Sequence, residues 1–157
     1  MGFQPDKILC VLCNHSGGAF QRTNAENGTW AHCLCAIWIP ELMEKVDNNI
    51  DLGPVTCVDR MDKARKTLKC TACNGRSGSV QCAHARCMAA IHPHCALKEP
   101  SDFSWRVIEC TTKEGTVAYI RELFCARHAD DVGLPTKHSN EVLIHVRIYI
   151  YTHQRVY

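Results

Sequence analysis

The chain has no run of the roughly 20 apolar residues that a helix needs to cross a bilayer. Its opening residues, Met1-Gly2-Phe3-Gln4-Pro5-Asp6-Lys7, contain no charged stretch leading into an apolar one, so no secretory signal is read. Gly2 does not begin a myristoylation pattern, because Asp6 stands where that pattern wants Ser or Thr. Aromatic residues make up only 7% of the chain. A cage around a methylated lysine needs several convergent rings, and none is expected here. Neither sign of charge dominates: 18 basic residues oppose 16 acidic ones, for a formal +2. A whole-molecule electrostatic case for nucleic acid therefore fails, and any such case must be local. Together these absences point to a reduced intracellular protein with no membrane contact.

Cysteine and histidine are abundant instead, with 12 and 9 copies. Most fall into six tight pairs: Cys10-x2-Cys13, His32-x2-Cys35, Cys70-x2-Cys73, Cys82-x4-Cys87, His92-x2-Cys95 and Cys125-x2-His128. Zinc takes four thiolate or imidazole donors, and donors two to four residues apart reach one ion. Six pairs therefore predict three zinc ions. Only Cys33, Cys57 and Cys110 are left as spare thiols, and Cys33 reads as a small buried apolar side chain. A disulfide framework is rejected, since it needs an oxidising compartment and gives interleaved histidines no purpose. Nine bound thiolates and three divalent ions would bring the formal charge to about −1.

The pairs separate into residues 10–35 and 70–128. Neither group is large enough to rest on an extensive apolar core, so metal must supply much of the folding free energy. In the first group, Gly17-Gly18 and Asn27-Gly28 mark turns with a hairpin between Phe20 and Trp30. A short helix from Trp30 is expected to carry His32 and Cys35 on one face and to end at Pro40. In the second group, four residues separate Cys87 from His92, whereas 29 separate Cys95 from Cys125. That contrast favours interleaved sites over sequential ones, because a sequential second site would have to close the long loop 96–124 by itself. Cys70, Cys73, His92 and Cys95 are assigned to one ion, and Cys82, Cys87, Cys125 and His128 to another. Cys10, Cys13, His32 and Cys35 hold the third.

The expected organisation is a zinc knuckle over 8–40, a connector over 41–69, a finger over 70–130 and a tail over 131–157. The connector is acidic at first (Glu41, Glu44, Asp47, Asp51) and basic later, with Val55 to Val58 as a short strand. In the tail, Val142, Ile144, Val146, Ile148 and Ile150 alternate with polar or aromatic residues, the period of a strand. It reads as an edge strand, the start of a further domain, or a segment foreign to the fold, and no function is assigned to it.

The chain resembles the extended PHD modules, in which a zinc knuckle joins an atypical PHD finger. Bromodomain–PHD scaffold proteins, Jumonji-type histone demethylases and leukaemia-fusion PHD proteins carry them. The residues that carry the likeness are Cys10-x2-Cys13, Gly17-Gly18-Ala19-Phe20, Trp30-Ala31-His32-x2-Cys35-Ala36 and Trp38-Ile39-Pro40-Glu41. Lys69-Cys70-x2-Cys73, Gln81-Cys82-x4-Cys87, Ile91-His92-x2-Cys95-Ala96 and Cys125-x2-His128 continue it to about residue 130. His92 is the fifth ligand of its group, as in PHD fingers, whereas a RING finger has histidine fourth. His128 stands where an ordinary PHD finger has cysteine. Ile91 departs from the usual aromatic residue, and 96–124 diverges.

The resemblance implies a small zinc-stabilised α+β fold with little regular secondary structure, in which the knuckle packs on a cross-braced finger. It also implies a nuclear, chromatin-associated reader of histone tails, nucleosomal DNA or both. The alternatives are a protein-interaction scaffold in a chromatin complex or a RING-like ubiquitin ligase module. The grip on the histone H3 N-terminus that several relatives place in a preceding finger is not carried over. No residue set reads as catalytic, because closed four-ligand sites leave water no place on the metal. His84 and His94 are read as groups beside ligands rather than acid–base catalysts. The local candidate for nucleic acid is Arg60, Lys63, Arg65, Lys66, Lys69 and Arg76. For a basic tail the candidates are the acidic connector residues, with Phe103 and Trp105 as cation–π partners.

Overall fold

The computed structural model describes residues 8–42, 54–56, 58–98, 103–111, 115, 117–133 and 145–151. Turn signals spaced this closely allow only short elements in the first half. β1 (Phe20–Arg22) and β2 (Trp30–His32) pair antiparallel, with Phe20 opposite His32 and Arg22 opposite Trp30. The Arg22 guanidinium lies 5.4 Å from the Trp30 ring centroid, a contact worth roughly 0.5–1 kcal/mol at an exposed site.

α1 (Cys33–Trp38) follows directly. The expected helix from Trp30 is corrected here: residues 30–32 belong to β2, and His32 is the N-cap, in extended backbone. Pairing with β1 claims the His32 backbone first, and a helix needs a non-helical residue just before it. The turn after α1 continues as a single 3-10 turn over Pro40–Leu42. Val55 forms only an isolated bridge with Thr23. α2 (Lys63–Thr67) was not anticipated; Asp62 caps it by accepting the Ala64 N–H at 2.8 Å.

β3 (Val80–Gln81) and β4 (Ala90–Ile91) make a second small sheet, and α3 (Pro93–Lys98) follows β4. The long segment before the last ligand pair is a β-hairpin rather than a loop. β5 (Ser104–Thr111) and β6 (Val117–Phe124) pair along eight residues each. β7 (His145–Tyr151) pairs antiparallel with the other side of β5, giving the order β6-β5-β7. The alternating residues from 145 to 151 thus have a partner, and β7 is an edge strand among the described residues, while Val142 and Ile144 lie outside them.

The chain packs as two units: residues 1–80 with 91–95, and residues 81–90 with 96–157. The core of the first gathers Leu12, Ala31, Ile39 and Leu42 with the cluster cysteines, and also Val55 and Met61 from beyond the knuckle. In the second, Phe103, Ile108, Leu123 and Phe124 are buried.

Within the first unit the ligand spacing repeats. Cys10, Cys13, His32 and Cys35 become Cys70, Cys73, His92 and Cys95 on adding 60 to each number. The backbone repeats with them. Asn14 and Asn74 both take positive φ, 57° and 61°. Their amides bond to Cys10 O and Cys70 O at 2.8 and 2.9 Å. The two copies meet closely: a Cβ on Gly78 would stand 2.2 Å from Leu12 O, and Gly78 has φ +62°. Only glycine fits there. His94 of the second copy stacks on His32 of the first, with centroids 4.1 Å apart and planes 4° apart, while Phe20 lies 4.3 Å from the same ring.

Candidate metal centres

Each repeat builds its centre alike. A turn after the first Cys-x2-Cys pair points both thiols inward, and the strand–helix junction supplies histidine and the last cysteine. Cys10, Cys13, His32 and Cys35 have donor atoms all within 4.8 Å of one another, and all four are buried. The His32 Nδ1 lies 3.2 Å from Cys13 Sγ and 3.8 Å from Cys35 Sγ. Its Nε2–H donates to Gly17 O at 2.6 Å. That bond fixes the tautomer and turns the Nδ1 lone pair toward the thiols, as zinc-binding histidines require. The second repeat matches: His92 Nδ1 is 3.3 Å from Cys73 Sγ and 3.6 Å from Cys95 Sγ, and Nε2–H donates to Ser77 O at 2.6 Å.

The third centre stands on the β5–β6 hairpin. Cys125 directly follows β6, and a 3-10 segment over Ala126–Gly133 brings His128 back toward it. Cys82, Cys87, Cys125 and His128 converge within the same 4.8 Å limit. Cys87 and Cys125 sulfurs are 3.9 Å apart, and His128 Nδ1 lies 3.4 Å from Cys125 Sγ and 3.7 Å from Cys82 Sγ. The Cys125 and Ala83 N–H groups, bonded to Cys82 Sγ at 3.4 Å and Leu123 O at 2.9 Å, hold the knuckle against the strand.

Bond lengths of about 2.3 Å to sulfur and 2.0–2.1 Å to nitrogen put tetrahedral S and N donors roughly 3.6 Å apart. The separations above bracket that value. Electrostatics agree. Cys13 and then Cys35 donate S–H bonds that hold Cys10 well below the ordinary thiol range; Cys13 is pushed up to about 12 in return, and Cys35 rises too. Cys95 likewise lowers Cys70 to about 2 and is itself raised. Such crowding of thiols around shared protons is what a divalent cation relieves. The three four-donor clusters fit three zinc ions.

At the second centre the donors that all lie within 4.8 Å of one another are His15, Cys73, His92 and Cys95. Cys70, the expected fourth, sits beside them: its sulfur accepts the His92 N–H at 3.5 Å. His15 escaped sequence reading because it lies 80 residues from Cys95. The 60-residue repeat was the legible signal for the rest of this centre, since it pairs Cys70 with Cys10.

The basic candidates are divided. Arg60, Lys63, Lys66, Lys69 and Arg76 are exposed. Lys69 and Arg76 face each other in an antiparallel bridge, and Lys66 Nζ donates to Asp59 O at 3.4 Å. Arg65 is half-buried instead: its Nε donates to Glu41 at 2.8 and 2.9 Å, and its Nη1 to Ser79 O at 2.9 Å. Glu41 is thereby engaged within the fold, while Glu44, Asp47, Asp51 and Cys57 lie outside the described residues. Phe103 is buried and Trp105 half-buried in β5. Cys33 is half-buried rather than fully so.

The model of the PHD-zinc-finger like domain matches residues 8–153. The mouse (Mus musculus) bromodomain and PHD finger-containing protein 3 is 34% identical over 130 residues, covering 81% of this chain and 10% of that protein. The Drosophila melanogaster PHD finger protein rhinoceros is 31% identical over 134 residues, 85% of this chain and 4% of that protein. The bovine (Bos taurus) protein Jade-1 is 38% identical over 99 residues, 62% and 18% respectively. The chain therefore spans less than a fifth of each of these relatives. With its three donor clusters and interleaved ligand order, it belongs to the PHD-like zinc-finger family.

Proposed function

We propose that the chain is a non-catalytic chromatin reader module that engages nucleosomal DNA through its basic face. In this reading Cys10, Cys13, His32 and Cys35 hold one zinc, Cys70, Cys73, His92 and Cys95 a second, and Cys82, Cys87, Cys125 and His128 a third. Four protein donors fill each ion, so the metals support the fold and offer no site for activated water. The names of two relatives, one with a bromodomain and PHD finger and one with a PHD finger, support a place in a chromatin complex and hence in the nucleus.

The observation that carries the DNA reading is the exposed set Lys63, Lys66, Lys69 and Arg76, with Arg60 close in sequence, on α2 and the turn after it. Arg65 is left out, because Glu41 already neutralises it. A phosphate backbone is recognised by such mobile point charges without base contacts. Histone-tail binding through the acidic connector draws less support, since Glu41 is engaged by Arg65.

The test is binding of free duplex DNA and of nucleosomes at two salt concentrations, with Lys63, Lys66, Lys69 and Arg76 replaced by alanine. Each lost phosphate contact should flatten the log–log salt slope by roughly 0.9. Unchanged affinity and slope would remove the proposal. Retained binding to a histone H3 or H4 peptide but not to DNA would replace it with tail recognition.

A further inference from the structure

The second zinc centre has more donors around it than zinc takes. His15 comes from the knuckle turn of the first repeat, yet its Nε2 lies 3.4 Å from Cys95 Sγ in the second. Its ring meets His92 edge-on at 5.8 Å and stacks beside His94 at 5.9 Å. Together with Cys73, His92 and Cys95 it closes a four-donor group within 4.8 Å, while the Cys70 sulfur beside it accepts the His92 N–H at 3.5 Å. The repeat makes this asymmetry visible. The counterpart of His15 is Gly75, where even a Cβ would stand 3.2 Å from Cys73 Sγ and 3.3 Å from His92 Cε1. Among the described residues, the group converging on the first centre is Cys10, Cys13, His32 and Cys35. The second can draw on five donors.

We propose that His15 is a reserve ligand of the second zinc ion. The inference rests on the twelve-ligand reading above. With Cys70 bound to the metal, His15 Nε2–H donates to the Cys95 thiolate. When Cys70 leaves, Nε2 takes its position. The exchange needs no net proton: Cys70 departs as thiolate, and His15 stays neutral by giving its Nε2 proton to solvent and taking one on Nδ1, which leaves the Nε2 lone pair for the metal. Zinc is thus retained while one thiolate arm is off, and the knuckle turn becomes part of the finger's metal site.

Native mass spectrometry counts zinc, and transfer to a chromophoric chelator times its loss. Wild-type protein and His15→Ala should each carry three ions. His15→Ala should release one of them on the order of tenfold faster, the lower end of what an outer partner contributes to a metal site. His15→Gln keeps an N–H donor but is a poor zinc ligand, and should release like His15→Ala. Cys70→Ala should keep three ions, and the double variant His15→Ala/Cys70→Ala only two. Release from His15→Ala at the wild-type rate overturns the proposal. So does wild-type release from His15→Gln, which would mean a hydrogen bond alone. A Cys70→Ala count of two overturns it as well. The His15 release measurements stand even when Cys70→Ala does not fold. A wild-type count below three would fail the ligand assignment itself, leaving a result distinct from failure of His15.

Discussion

Arg106 and Glu122 face each other across β5 and β6 with side chains 4% and 0% exposed. The Arg106 Nε donates to Glu122 Oε2 at 2.6 Å, and the guanidinium lies 5.3 Å from the Phe124 ring. Desolvating both charges is costly, so the pair adds little net stability, but removing one partner is severe. Glu122→Gln should lower the unfolding free energy of the zinc-loaded protein by about 3–5 kcal/mol, measured by denaturant titration. Arg106→Met/Glu122→Leu should recover most of that loss. Gly78 gives a second test. Alanine there meets both a left-handed backbone and the Leu12 carbonyl, costing about 3 kcal/mol. Gly17→Ala, with φ +79° and open space around it, should cost only about 1 kcal/mol by the same assay. The metal was legible at this scale because donors two to four residues apart reach one ion. His15 and Gly78 were not, because each matters only through a residue far away in sequence.

The β5–β6 hairpin shows why elements can stay hidden in a sequence. Alternation of apolar and polar residues is the strand signal when one face is buried, and here the buried face carries Ser104, Arg106 and Ile108. Two of the three are polar, so the pattern is blurred and the segment reads as a loop. β7 was legible for the opposite reason, since Val146, Ile148 and Ile150 alternate cleanly, yet its partner could not be read while β5 was hidden. Pairing runs from Trp105 opposite Tyr151 to Thr111 opposite His145. Truncation after residue 133 would uncover that side of β5 along all those positions. An unpaired strand edge invites other chains. The truncated protein should therefore retain three zinc ions but self-associate, seen as earlier elution in size-exclusion chromatography and rising light scatter. Elution and scatter unchanged from those of the full chain would show that β5 tolerates an open edge.

At the scale of the whole molecule, metal is distributed unevenly: two centres lie in the unit 1–80 with 91–95, and one in the unit 81–90 with 96–157. Tight spacing gave away the metal and the interleaving, but not this division, which depends on how hairpin and knuckles pack. Each unit has its own buried apolar residues, and the cysteines of its donor clusters are buried among them. A structural zinc contributes roughly 10–16 kcal/mol of apparent binding free energy, comparable with or above the total stability of an ordinary domain. Cys125→Ser removes a buried thiolate from the third centre together with the Cys87 contact at 3.9 Å. The zinc count should fall to two, and amide exchange should quicken along 104–111 and 117–124. Protection along 20–22 and 30–38 should persist, because both centres of that unit keep all their donors. Uniform loss of protection across the chain would mean that the two units fold only together, and that the third ion supports every element of the molecule.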